Sequence, residues 1–317
     1  MSLNRKLNMM VLLLFFIINF SSFASAKDIK LYQVSSGVLK FDKGWLTAMK
    51  DVGKILEFPV AMYIIDHPRG LVVYDTGMNV AVSDGKCDSY WGSGLCSAFL
   101  PIQRRDEVID KWLEKFGYKV SDVKYVIYSH MHLDHAGNME MFPDAIHVLQ
   151  KAELKAAWWP EKFQRAAFVL KDFDGTRNFN FLEIEGDFDL FNDGKIKILE
   201  TIGHTQGHQS LMVKLKKTGT LFLAGDAVYT PDNEAGVIPG ITWNTYESMK
   251  SIDRLKMLRD SHQGEIWYSH GIDQYNQHKH DAEAPRVVVR HHVLRRLWRR
   301  WLCIHYNIIQ PVHYCFH

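Results

Sequence analysis

The chain carries no internal repeat and no low-complexity stretch, which excludes repeat arrays and fibres and leaves a globular protein. Cysteine is scarce, four in 317 residues. Cys87 and Cys96 stand close together in a glycine- and serine-rich segment, Asp84 to Cys96, with no third soft ligand nearby in sequence. That absence argues against a zinc role for the pair. The one apolar run of note, Met9 to Ile18, is too short to cross a bilayer. Neither sign of charge dominates, with 38 basic against 36 acidic residues. The last segment, Arg286 to His317, has six arginines but no acid and no lysine. Setting those aside with Arg5 and Lys6 leaves 30 basic against 36 acidic residues, a charge of −6 for the body of the chain.

What is present divides the chain into three. In residues 1–26, Arg5 and Lys6 precede the apolar run, and Ala24-Ser25-Ala26 follows as an A-x-A cleavage signal. This reads as a secretory signal peptide, with an uncleaved membrane anchor as the alternative. No cysteine near the cleavage site supports a lipoprotein. The expected location is therefore periplasmic or secreted, with the mature chain starting at Lys27 and no stable membrane insertion after cleavage. In an oxidising compartment Cys87 and Cys96 are expected to form a disulfide that rigidifies a short loop. Residues 27–285 form the body, whose 47% hydrophobic and 23% charged composition suits a chain with a sizeable core. Residues 286–317 form a basic extension. Val287 to Val289 and Ile308-Ile309 continue no helical stripe, so we read it as an extension that does not pack. A membrane-surface or nucleic-acid segment is the alternative.

The most informative run of the body is Ser129-His-Met-His-Leu-Asp-His-Ala-Gly-Asn138, at the end of a predicted strand. It packs His130, His132, Asp134 and His135 into six positions. Imidazole and carboxylate suit zinc and related first-row ions, and two ions can share one such loop. Downstream, Gly203-His204 lies on a glycine-flanked turn, Gly225-Asp226 follows the apolar run Leu221 to Ala224, and His270 follows Ile266 to Ser269. Each candidate follows a hydrophobic run, so one sheet edge can present them together.

This ordered set resembles the metallo-β-lactamase superfamily, and within it the N-acyl homoserine lactonases. The lactonase branch is suggested by Ser129, by His135-Ala136-Gly137, by Gly207-His208-Gln209-Ser210-Leu211 and by Asp226-Ala227 followed by Tyr229. The resemblance implies an α+β fold, a four-layer αββα sandwich with the metals at one end of the sheet pair. It implies two divalent ions, zinc being the expected one. His130, His132 and His204 would hold the first; Asp134, His135 and His270 would hold the second, with Asp226 bridging. His208 and Asp75 are candidates for contacts behind the ligands. The implied reaction is lactone opening by hydroxide held between the ions, with Asp134 as proton shuttle and Tyr229 as hydrogen-bond donor to the substrate. The implied partner is a small N-acyl homoserine lactone rather than nucleic acid. Homodimers are common among relatives. Other readings are a superfamily hydrolase of a β-lactam, thioester or other ester, and a metal-binding or surface-interaction protein.

Periodicity predicts strands at Ile29–Val34, Val60–Ile65, Leu71–Tyr74, Lys124–Tyr128, Ala145–Leu149, Lys195–Glu200, Ser210–Leu215 and Thr220–Ala224. Helices are expected at Asp106–Phe116, Ala152–Trp158 and Tyr246–Leu258. Trp91, Phe99, Leu100, Trp158, Trp159, Phe163 and Phe168 are candidates for an acyl-chain wall, although each taken singly reads as core.

Overall fold

The computed structural model describes residues 28–278; the expected signal segment 1–26 and the basic tail 286–317 lie outside the described residues. Two mixed sheets form the frame. The first runs in chain order through β1 (Lys30–Asp42), β2 (Ile55–His67), β3 (Gly70–Tyr74), β4 (Val123–Ile127), β5 (Ile146–Gln150) and β6 (Asn180–Ile184). Its first two pairings are antiparallel and the remaining three parallel. The second has the order β11 (Glu265–Trp267), β10 (Gly219–Leu223), β9 (Gln209–Leu215), β8 (Ile196–Glu200), β7 (Phe188–Asp189).

Side-chain alternation along the strands explains the layering. In β2, Ala61, Tyr63 and Ile65 point into a core shared with Ile198, Leu211, Val213, Leu221 and Trp267 of the second sheet. Met62 and Ile64 point the other way, toward Ile109 and Leu113 of helix Ile109–Lys115 and Ala156 and Ala157 of helix Lys151–Trp158. On the far side, Met212 and Phe222 pack on Ile252 and Leu255 of helix Thr245–His262. Helix, sheet, sheet, helix is the expected αββα order.

Three departures from the sequence reading have local causes. β1 and β2 each reach 13 residues, because a bulge between Ser35 and Val38 lets the ladder continue beyond the apolar segments. Strands β6 and β7 fall where no strand was expected: in β6 only Ile184 of its apolar residues is buried, and β7 is two residues long. The glycine- and serine-rich stretch is not one loop but carries two short helices, Cys87–Tyr90 and Ser93–Phe99, directly after a third, Val80–Ser83. Cys87 and Cys96 are disulfide-bonded across the last two.

Candidate metal centre

Register brings the loops together. β3 and β4 run parallel with Tyr74 opposite Ile127, so Asp75 lies beside the loop that starts at Ser129. β10 and β11 run parallel with Leu223 opposite Trp267, which sets the Asp226 and His270 loops side by side. β9 runs antiparallel to β10 with Leu211 opposite Leu223, delivering His208 to the same edge.

All seven predicted ligands meet at this edge, and all are buried. His130, His132 and His204 form one trio, and Asp134, His135 and His270 another. Within each, the candidate ligand atoms lie within 4.8 Å of one another. His204 Nε2 is 3.0 Å from His130 Nε2 and 2.9 Å from His132 Nδ1. Nitrogens about 2.0–2.1 Å from a tetrahedral zinc ion stand roughly 3.3 Å apart, so a cation fits this spacing. Asp226 lies between the trios. Its Oδ2 is 3.4 Å from His204 Nε2 and 3.8 Å from His130 Nε2. Its Oδ1 is 3.3 Å from His135 Nε2 and 3.5 Å from His270 Nε2. Asp134 Oδ2 stands 3.6 Å and 3.7 Å from those same two nitrogens. Buried His135 Nε2 and Asp226 Oδ1 have no hydrogen-bond partner despite this approach, as expected of atoms shaped to face an ion.

The atoms behind the ligands set their tautomers. His135 Nδ1–H donates to Asp75 Oδ2 at 2.8 Å, and His270 Nδ1–H to the Pro59 carbonyl at 2.9 Å. His204 Nδ1–H donates to the Ile241 carbonyl at 2.9 Å, and His130 Nδ1–H to Ser129 Oγ at 3.0 Å. Ser129 in turn donates its hydroxyl and its amide to Asp75. Asp75 adopts a left-handed backbone, φ 61°, at this junction. His208 acts differently from expectation. Its Nε2 accepts the Asp226 amide at 2.9 Å, holding the loop rather than an imidazole. Gly225 is required there, since a Cβ would come within 2.8 Å of both His208 Nε2 and Ser129 Cβ.

Charge separates the two trios. Burial, then the neighbouring imidazoles, holds His130 and His132 well below the usual histidine range, and burial likewise lowers His204. Their lone pairs are therefore free. Burial opposes protonation of His135 and His270 too, but Asp226 and Asp134 lift both above the usual range. The same pair of imidazoles, working against burial, draws Asp226 far below the carboxylate range. The acid-rich half calls for positive charge, which a second cation would supply.

Tyr229 is brought to the centre, 1% exposed, with its Oη 2.7 Å from His204 Nδ1. Its hydroxyl donates to the Ile241 carbonyl, and burial with Asp226 nearby keeps it protonated. His278, eight residues after His270, faces Glu265 and stacks on Trp267 rather than joining the cluster. The aromatic set is dispersed. Trp91 and Phe99 share a cluster with Leu133 and Tyr229, Trp158 and Phe168 lie in another, and Leu100, Trp159 and Phe163 are exposed.

The family model described as the metallo-beta-lactamase superfamily matches residues 55–262. The chain belongs to that superfamily. It is 34% identical over 257 residues to an N-acyl homoserine lactonase of Azorhizobium caulinodans, covering 80% of this chain and 97% of that one. It is 30% identical over 245 residues to an N-acyl homoserine lactonase of Bacillus cereus, covering 77% and 94%. Among solved structures it is similar, at TM-score 0.70 and 28% identity, to an N-acyl homoserine lactone hydrolase holding N-hexanoyl-L-homoserine at its catalytic metal centre. That match covers 79% of this chain and 96% of the other. As a superfamily member with this cluster, the protein is a metal-dependent hydrolase.

Proposed function

We propose that this protein is an exported dizinc hydrolase that opens the lactone ring of N-acyl homoserine lactones. The observation that carries the reading is Asp226, whose two oxygens face the two ligand trios separately. Its lactonase relatives and Tyr229, three residues further on, support the substrate class. When bound, two divalent ions bring the pKa of a water toward neutrality and polarise the carbonyl it attacks. Asp134 takes the proton and passes it to the ring oxygen as the C–O bond breaks. Tyr229 hands its hydrogen bond from the Ile241 carbonyl to the substrate oxygen. Export is supported by the signal pattern in residues 1–26 and by the Cys87–Cys96 bond.

The test is proton release by the purified protein on short- and long-chain N-acyl homoserine lactones, with metal content measured on the same sample. Ring opening with about two ions per chain is expected. Full metal loading without ring opening overturns the lactonase reading and turns the search to β-lactams and thioesters.

A further inference from the structure

A carboxylate that ligates nothing sits behind the three-histidine trio. Glu153 belongs to helix Lys151–Trp158, which starts directly after β5, and it is 0% exposed. Its Oε1 accepts the Met131 amide at 2.9 Å. Its Oε2 accepts the Thr205 hydroxyl at 2.5 Å and the Gly207 amide at 3.1 Å. Met131 lies between His130 and His132, and Thr205 follows His204. One oxygen therefore serves each ligand loop, the Thr205 contact spanning 52 residues of chain. Gly207 permits the approach, because a Cβ there would come within 2.1 Å of the Glu153 amide nitrogen and 2.6 Å of its Cα. Among the described residues no lysine or arginine ion pair with Glu153 is found. A buried carboxylate without such a partner is costly, and three donated hydrogen bonds are what offset it.

The other trio is held by different atoms. His135 leans on Asp75 and His270 on the Pro59 carbonyl. Glu153 makes no hydrogen bond to Asp134, His135 or His270 themselves, whereas its donors Met131 and Thr205 are direct neighbours of His130, His132 and His204.

Building on the dinuclear reading above, we infer that Glu153 is a positioning residue for one ion only, setting the spacing and hence the affinity of the His130–His132–His204 site. Asp75 differs: it accepts from His135 Nδ1 and, through Ser129, also stands behind His130, so it supports both sites. A glutamine at 153 keeps one carbonyl oxygen but turns an NH2 toward donors, so one loop loses its anchor while the side-chain volume stays.

The experiment titrates Zn2+ into the metal-free full chain against a chromophoric chelator. Wild type takes up two ions. Glu153→Gln is expected to bind one ion as tightly as wild type and the other about 10–100-fold more weakly. Asp75→Asn, which touches a ligand of each trio, is expected to weaken both ions, and so is the double variant. One ion left tight in the double variant would mean that Asp75 does not reach both sites, which overturns the contrast drawn with Glu153. Glu153→Gln weakening both ions alike, or neither, overturns the inference itself. Thr205→Val removes a single donor and should weaken one ion by a smaller factor, so it decides the matter if Glu153→Gln fails to fold. A wild-type chain that binds fewer than two ions would sink the dinuclear reading itself, an outcome separate from a two-ion wild type that is indifferent to Glu153.

Discussion

The two sheets supply the centre in unequal ways. The first contributes four ligands from a single loop after β4, within His130 to His135. The second contributes three from three loops: His204 before β9, Asp226 after β10 and His270 after β11. A contiguous motif gets its geometry locally, from one turn and its hydrogen bonds. Dispersed ligands depend on strand register and on residues that tie one loop to the next, such as His208 and Glu153. The first half is therefore a preassembled cradle, and the second completes it only when the whole sandwich has formed.

Asp226 is the sharpest point of that contrast, since it alone faces both trios. Asp226→Ala is expected to lower kcat/KM by about 10³-fold or more, beyond the 10–100-fold usual for a partner behind a ligand. Metal analysis should show less than two ions per chain. Two retained ions with near-normal turnover would erase the distinction between the halves. Tyr229 lies in the same loop but ligates nothing, so Tyr229→Phe should keep both ions and slow turnover by about a hundredfold. Unchanged kinetics would remove the phenol from the chemistry.

The first half also holds a histidine that serves only the fold. His147 on β5 donates Nε2–H to the Phe142 carbonyl at 2.9 Å and accepts from Tyr128 Oη at 3.0 Å. Burial pulls it down from 6.5 to about 4. The unfolded chain therefore takes up this proton first as the pH falls. Its contribution is complete above about pH 6.5 and is lost toward pH 4, about 2 kcal/mol by pH 5. Glutamine can replace both hydrogen bonds without titrating. Denaturant unfolding of metal-free His147→Gln should show a pH 7 to pH 5 loss smaller than that of wild type by about this amount. Equal losses would place the acid sensitivity in the other half.

How much of this was legible follows the same division. The run from His130 to His135 stands out in the sequence because no packing need crowds four such side chains together. His204, Asp226 and His270 each look like an ordinary polar residue after a strand, and only their order, matched to a family, singled them out. The long alternating strands were readable, with ends misplaced where a bulge or a turn set the limit. β7 is two residues long and leaves no periodic trace. The helices at 80–99 were hidden by glycine and serine, whose helix propensities are poor and are overridden here by packing of Val82, Trp91 and Cys96. Glu153 was invisible. In Lys151-Ala-Glu-Leu-Lys155 it reads as one more exposed charge, and only the approach of Gly207 buries it.

The bond from His270 Nδ1 to the Pro59 carbonyl spans 211 residues. A growing polypeptide leaves the ribosome N-terminus first, so all three histidines of the first trio are synthesised once residue 204 has emerged. The acid-rich cradle must wait for residue 270. Synthesis thus imposes an order on the two half-sites, and a message cut short between them yields a chain that can never assemble the second.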